Sequence, residues 1–177
     1  VIPGKSLNEL NKILDDSTDL VNVALTSQQV LFKTKEVLFF SRLLEGNYPD
    51  TSRLIPDDYQ TNVTINGKSL LQAIDRASLL AREDRNNVVR FETVGQNTVE
   101  ISSNSPEIGK VKEEITVENL EGDELKISFS AKYMMDALKA IDGQDVMIQF
   151  TGTMKPFILR SIHDDAILQL ILPVRTY

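Results

Sequence analysis

The chain has no cysteine and a single histidine, His163, among its 177 residues. Without cysteine, neither a disulfide framework nor a thiolate metal site can form, and nothing in the sequence requires an oxidising compartment. No second histidine is present, and serine followed by lysine occurs at no distinctive spacing, so a nucleophilic active site has little support. We therefore rank an enzyme last among the possible classes and expect no cofactor.

The one histidine lies in "SIHDDA", where two aspartates follow it. Histidine and aspartate can bind a metal ion, but residues adjacent in sequence do not converge on one ion. A short polar segment between two strand-like segments is typical of a turn. We therefore predict a turn at His163 and no metal site.

Long apolar runs are also missing, since the longest fall far short of the roughly 20 residues that span a bilayer. No signal-peptide pattern follows Val1, so we expect a cytoplasmic protein with no membrane partner. The 41% hydrophobic content is enough for a globular core. The abrupt start without methionine leads us to expect a fragment or a processed chain.

The tripeptide "GKS" occurs at residues 4–6 and 67–69 and resembles the end of a phosphate-binding loop. The full loop motif needs another glycine five positions before the second one. Asn62 stands at that place for Gly67, and Gly4 has no such place in this chain. We interpret both copies as helix starts.

The order of the elements predicts an α+β fold of antiparallel sheet with few helices. Helices are predicted at 3–15, 68–82 and 130–142. Strands are predicted at 20–25, 29–34, 37–44, 62–65, 88–93, 98–103, 108–118, 125–130, 145–150, 156–161 and 166–173. Residues 45–60 combine glycine, proline and acids without periodicity, which is typical of a linker. We place a first domain at 1–50, a linker at 51–60 and a second domain at 61–177.

A weak internal repeat links the two domains. The segment "KSLNELNKILD" from Lys5 aligns with "KYMMDALKAID" from Lys132, and similar strands follow both. Self-similarity of this kind indicates a modular array. Residues 1–50 therefore resemble the second half of a module whose complete copy follows, so the chain holds about one and a half modules.

The formal net charge of -7 argues at first sight against nucleic acid, whose phosphates attract basic surfaces. The predicted helices nevertheless contain seven bases against three acids, and the bases recur seven or fourteen residues apart, on nearly one face. These bases are Lys5, Lys12, Lys68, Arg76, Arg82, Lys132 and Lys139. Basic helix faces can present a positive lining to a polyanion. The alternative is that short amphipathic helices use lysine and arginine only for solubility.

These features resemble the bacterial DNA polymerase III beta subunit family, the replicative sliding clamps. The motifs that carry the resemblance are "EGNYPDTSRLIP", "LLQAIDRASLLARED", "ISSNSPEIGKVKEEI", "FSAKYMMDAL" and "LILPVR". They cover essentially the whole chain, as the second half of the clamp's middle domain and its complete C-terminal domain. The resemblance implies a clamp fold with antiparallel sheets outside and few helices lining the inner face.

The resemblance also implies a function. Two full-length subunits of the family form a homodimeric ring that encircles double-stranded DNA without sequence preference and performs no chemistry. Partners, among them the polymerase III alpha subunit and the clamp loader, dock a short clamp-binding motif into an apolar pocket between the middle and C-terminal domains. The principal rival interpretation is a β-rich peptide-binding module without nucleic-acid function.

Carried over by position, the family's pocket falls on thirteen residues. These are Pro49, Arg53, Leu54, Ser130, Tyr133, Met154, Pro156, Leu170, Ile171, Leu172, Pro173, Val174 and Arg175. Aliphatic side chains and a tyrosine suit a peptide's apolar anchors, and arginines suit its polar groups. The subunit interface falls on Leu79, Leu80 and the strand around Glu107, for which ordinary core and a charge-protected edge remain the alternatives.

Overall fold

The structure is a computed structural model that describes residues 1–15, 20–48, 50–81, 87–141 and 145–175. The chain divides into two compact units, Val1–Thr51 and Ser52–Tyr177. In the described residues, three helices accompany three antiparallel sheets. The predicted α+β fold class is therefore confirmed.

The first unit contains one helix and one small sheet. Helix α1 (Gly4–Ile13) precedes three strands in the order β1-β2-β3, which are β1 (Asn22–Leu25), β2 (Gln29–Lys33) and β3 (Leu38–Arg42). Among the described residues of this unit, the buried core consists of Leu10, Val30 and Phe32, with partly buried neighbours around it. Much of the apolar surface of its strands is consequently exposed.

The second unit contains two sheets. One has the order β12-β11-β10-β4-β8, from β4 (Thr61–Asn66), β8 (Asn119–Gly122), β10 (Asp145–Phe150), β11 (Phe157–Ser161) and β12 (Leu168–Ile171). The other has the order β7-β6-β5-β9, from β5 (Val88–Val94), β6 (Thr98–Ser105), β7 (Gly109–Thr116) and β9 (Lys126–Ser130). Alternating buried positions along β5, β6 and β10 give each strand one face toward the core.

A row of four phenylalanines joins the two sheets of the second unit. Ring centroids are 5.3 Å apart for Phe91 and Phe150, 4.9 Å for Phe150 and Phe157, and 5.7 Å for Phe129 and Phe157. Phe91 and Phe129 come from the four-stranded sheet, whereas Phe150 and Phe157 come from the five-stranded sheet. Tilted aromatic contacts at these distances add to the stabilisation from apolar burial.

Both remaining helices belong to this core, α2 (Gly67–Ala81) and α3 (Ala131–Ala140). The two "GKS" segments do begin helices, at Gly4 and Gly67, as predicted. At the start of α2, the Asn66 side-chain oxygen accepts hydrogen bonds from the backbone N–H (3.0 Å) and the hydroxyl (3.1 Å) of Ser69. This contact caps the helix, because it satisfies an N–H that the first turn leaves unpaired.

Several predicted boundaries are wrong. The long strand expected at 108–118 ends at Thr116, and a further strand, β8, was not predicted. The chain changes sheets there, since Val117 N–H donates to Asn97 and Glu118 N–H donates to Thr64. The last strand ends at Ile171, and residues Thr51–Leu54 of the predicted linker form a 3-10 turn. Residue 142, the predicted end of the third helix, lies outside the described residues.

The predicted turn at His163 is confirmed. The Ser161 hydroxyl accepts hydrogen bonds from the backbone N–H groups of His163 (3.1 Å) and Asp164 (3.2 Å). The Asp164 carboxylate accepts another from Ala166 (2.8 Å).

No group of three potential metal ligands occurs among the described residues. No helix in the described part of the chain is long and apolar enough to cross a membrane.

Candidate peptide-binding groove and basic helix faces

An apolar groove lies between α3 and the end of the described chain. We name it the apolar groove; its volume is about 460 Å³. It is lined by Ser130, Tyr133, Asp136, Ala137, Gln169, Leu170, Ile171, Leu172, Pro173 and Val174. Seven of these ten are predicted pocket residues, so the structure brings together segments about 40 residues apart in sequence.

The helix and the terminal segment position the groove's two largest exposed apolar side chains. On α3, Met134 and Leu138 face the core, which turns Tyr133 outward with 67% of its surface exposed. Leu172 follows the end of β12 and is 63% exposed. Large apolar groups left in water beside a well-formed hollow are typical of a binding surface.

The terminal segment is fixed by contacts to both sheets. Through residue Ile171 it pairs with β11, and Pro173 then forms an antiparallel bridge with Phe129 of β9. The Val174 N–H donates to the Ser128 carbonyl at 2.7 Å. Because the backbone crosses from one sheet to the other, the side chains from Leu172 to Val174 are held in place.

A second hollow, the cationic hollow, adjoins the groove and has a volume of about 420 Å³. Its lining residues are Arg90, Lys126, Ser128, Thr153, Met154, Val174 and Arg175. Met154, Val174 and Arg175 were predicted, whereas Arg90 and Lys126 were missed. The alternation of β5, with Arg90 exposed between buried Val89 and Phe91, is the signal that could have placed Arg90 on the outer face.

The other predicted pocket residues lie elsewhere or are not described. Leu54 and Pro156 line a separate hollow with Pro56, Asp57 and Lys155 among others. Arg53 lies in the 3-10 turn and is exposed, but it does not line the apolar groove or the cationic hollow. Pro49 lies outside the described residues. Eleven of the thirteen predicted pocket residues thus line one of three hollows, whereas Arg53 does not and Pro49 is not described.

The predicted basic positions divide into four exposed lysines, two cations that contact a carboxylate, and one residue that is not described. Lys5, Lys68, Lys132 and Lys139 are exposed, and Lys12 contacts Glu9 at 2.9 Å on the same helix. Arg76 instead makes two hydrogen bonds to Glu113 on β7, one of them from Nε at 2.9 Å. Arg82 lies outside the described residues.

The Arg76–Glu113 contact changes the acidity of both groups. The hydrogen bond from Arg76 holds the pKa of Glu113 below its usual value, with a smaller Coulombic contribution in the same direction. The same hydrogen bond raises the pKa of Arg76. Glu113 therefore stays ionised and offsets the charge of Arg76, which leaves Arg76 less able to attract a polyanion.

The predicted interface positions lie at the surface. Leu79 is 55% exposed on α2, and Leu80 is half-buried, so neither belongs to the buried face of that helix. Glu107 is exposed in the turn before β7. Strand β7 is an edge of its sheet and pairs with β6 alone among the described strands.

Two family models match this sequence. The model for the C-terminal domain of the DNA polymerase III beta subunit matches residues 52–175, and the model for the central domain of that subunit matches residues 1–50. The beta sliding clamp of Bacillus subtilis is 62% identical over all 177 residues, and that of Staphylococcus epidermidis is 57% identical. The chain spans about half of these relatives, 47% of each.

Solved structures agree with these matches. The sliding clamp from Bacillus subtilis superposes with a TM-score of 0.92, covering 100% of this chain and 47% of that one. The beta chain from Streptococcus pneumoniae, 42% identical, superposes with a TM-score of 0.91 over 99% of this chain and 47% of that one. The fold is therefore that of sliding-clamp domains. The chain belongs to the DNA polymerase III beta subunit family.

Proposed function

We propose that the chain is part of a non-catalytic, cytoplasmic processivity clamp that tethers replication and repair proteins to DNA. The observation that carries the tethering of partners in this proposal is the apolar groove, where Tyr133 and Leu172 stay largely exposed on an otherwise well-packed unit. Such a groove suits the apolar anchor residues of a short peptide. The polymerase III alpha subunit, the clamp loader and other proteins with a clamp-binding motif are the partners that membership of the family suggests.

The two units correspond in this proposal to two clamp domains. Residues 1–50 are the second half of a middle domain, 51–60 a linker and 61–177 a C-terminal domain. The exposed strand residues Val23, Leu25, Leu38 and Phe40 of the first unit support this assignment. Apolar side chains on a small sheet are normally covered, and the other half of a middle domain would cover them.

Double-stranded DNA is the proposed nucleic-acid partner, with contacts to phosphates and none to base edges. The exposed lysines of α1, α2 and α3 are the candidates for these contacts, namely Lys5, Lys68, Lys132 and Lys139. Phosphate contacts do not read sequence, and a few exposed lysines bind weakly enough to permit sliding. Arg76 is the least suited of the predicted set because Glu113 already binds it.

The ring requires a subunit interface, which we assign to α2 and β7. Exposed Leu79 supplies an apolar contact, Leu80 supports it, and the free edge of β7 after Glu107 can pair with a strand of another subunit. On this proposal the full-length protein is a homodimer that surrounds DNA.

The rival function is a peptide-binding module with no role on nucleic acid. The groove alone would fit this rival equally well. Membership of the beta subunit family favours the clamp, and the exposed lysines on three helices agree with it, although solubility alone could also account for them.

The groove is tested by binding of a peptide that carries a glutamine and two or three large apolar residues. We expect micromolar affinity, on the order of -8 kcal/mol. Tyr133→Ala or Leu172→Ala should weaken binding by at least about tenfold, because each removes an apolar contact in the groove. Isothermal titration calorimetry measures the affinities, and Ile162→Ala serves as the control, since Ile162 is an exposed apolar residue that lines neither the apolar groove nor the cationic hollow. Unchanged affinity in both groove variants would show that the peptide binds elsewhere.

A further inference from the structure

The cationic hollow is unusual within this acidic chain. Three cations line it, Arg90, Lys126 and Arg175, and no carboxylate occurs among the described residues of the lining. The chain as a whole carries a formal net charge of -7. A local concentration of positive charge on a negative protein creates a field that attracts anionic groups to that place.

Strand pairing keeps the Arg90 charge uncompensated by its cross-strand neighbours. In the sheet, Arg90 pairs with Ser102 on one side and Ser128 on the other. Both are small and uncharged, so no carboxylate stands directly opposite Arg90 in the sheet, although Glu92 and Glu100 line another hollow beside it. Lys126 differs, because its ammonium contacts Glu92 at 2.8 Å. Arg90 and Arg175 therefore supply most of the available positive charge.

The apolar groove and the cationic hollow share a wall. Val174 lines both, and its N–H is bound to the Ser128 carbonyl on the strand that also carries Lys126. The hollow therefore begins where the terminal segment passes from Leu172 to Arg175. A peptide that continues beyond its apolar anchors along this wall therefore passes from the groove into the hollow.

We propose that the cationic hollow binds the carboxylates of an acidic segment directly adjoining the apolar anchors of a bound peptide. The inference rests on the proposed peptide groove and adds a selectivity to it. Partners with an acidic flank on the correct side are preferred over partners with a neutral flank. The occupant is an extended peptide, and Arg90 and Arg175 form charge-assisted hydrogen bonds with its side chains.

Three peptides with identical apolar anchors test the proposal, with three glutamates before the anchors, three after them, or serines on both sides. Titrations use the 177-residue chain at low ionic strength. One acidic peptide should bind about five- to tenfold more tightly than the neutral one, since exposed pairs each contribute little. The gain should shrink at about 0.5 M salt, where charge interactions are screened within a few ångströms.

Variants locate the effect. Arg90→Gln with Lys126→Gln should reduce the preference for the acidic peptide by at least about half, because Arg175 is then the one cation left in the described lining, and leave the neutral peptide's affinity unchanged, since neither residue lines the apolar groove. The matched control, Lys33→Gln with Arg42→Gln, removes two cations that do not line the hollow and should retain the preference. Circular dichroism verifies that each variant is folded.

The outcomes separate this inference from the proposed function. If all three peptides bind wild type equally, the groove stands and the acidic selectivity is overturned. An equal loss of preference in the control variant also overturns it, because net charge would then be the cause. If Tyr133→Ala leaves the acidic peptide's affinity unchanged, the peptide does not occupy the apolar groove and the cationic hollow together, and the inference is overturned. If no peptide binds, the groove itself is wrong.

Discussion

Tyr133 shows how a single helical position acquires a binding role. Its neighbour Met134 is completely buried, and the rotation of about 100° per residue along a helix carries Tyr133 to the exposed side. There it stands opposite Leu172, a residue that comes from the end of a strand in another part of the sequence. The groove exists because two unrelated local structures each leave one large side chain outside the core.

Gly122 is the residue whose replacement should damage the fold most clearly. It has φ of +104°, and an added Cβ would lie 1.9 Å from the Gln60 carbonyl oxygen. Gly122→Ala should therefore lower the free energy of unfolding by at least about 2 kcal/mol, through strain and a backbone clash.

Urea denaturation measures this loss, and Gly95→Ala is the matched control. Gly95 also has positive φ, at +65°, but an added Cβ there would meet no atom of the described residues within 4 Å. The control should cost only about 1 to 2 kcal/mol, the strain of a left-handed backbone. Equal losses in the two variants would mean that the contact with Gln60 has no energetic importance.

At the scale of elements, the Arg76–Glu113 pair joins α2 to β7. Since Arg76 lowers the pKa of Glu113, the folded state favours the ionised carboxylate. The resulting stabilisation is present above the unfolded pKa of about 4.3 and is lost as pH falls through the lower folded pKa. Glu113→Gln should thus reduce the melting temperature at neutral pH. It should have little effect at a pH below the lowered pKa of Glu113, where the carboxylate of the wild type is protonated.

Thermal melts of wild type and variant across this pH range measure the difference. Glu114→Gln is the control, since Glu114 is the adjacent, exposed residue on the same strand. A difference for Glu113→Gln that does not change with pH would rule out the pair as its source.

The helices also carry the proposed DNA contacts. Changing Lys132 and Lys139 to Glu in the full-length protein should reduce retention on DNA on the order of tenfold, because each subunit then repels phosphate where it attracted it. Peptide binding should remain, since neither lysine lines the apolar groove. Nitrocellulose-filter or pull-down retention measures the first property and calorimetry the second. Loss of both DNA retention and peptide binding would indicate misfolding. If both properties are kept, these two lysines do not contact DNA.

Helix starts and most strands followed from local patterns that the sequence contains. The "GKS" tripeptide at 67–69 is interpreted as a helix start, and the segment "VVRFET" at 88–93 predicts a strand. Strand β8 was not predicted because "NLEG" has little strand propensity. It is held in place by pairing with β4, which is distant in sequence. Likewise, the bridge between Pro173 and Phe129 depends on tertiary packing that no local pattern records.

The candidate site was predictable only in part for the same reason. Tyr133 and Leu172 came from the resemblance to the clamp family, and the structure places both beside one groove. Arg90 and Lys126 lie on strands far from Val174 in sequence, and only the pairing of β5 with β9 brings them together. The linear sequence can indicate the strand face on which a charged residue lies, but it does not show which charged residues the sheet register brings together.

At the scale of the whole molecule, the proposed ring would explain how an acidic chain can act on DNA. A net charge of -7 opposes tight, general attraction to phosphate, whereas encirclement retains a protein without tight contacts. A clamp therefore depends on a closed ring for its residence on DNA. In the proposed function the groove and the ring have separate tasks, since the groove selects partners and the ring keeps them near the template.

Retention of the full-length protein on circular and linearised DNA tests this account most directly. The protein is loaded on a closed circle, and half of the sample is cut once with a restriction enzyme before gel filtration. We predict that it stays on the circle and runs off the linear molecule, because only a topological link is lost on cutting. Equal retention on both forms would contradict the clamp and favour ordinary binding to DNA, and no retention on either would favour the peptide-binding module.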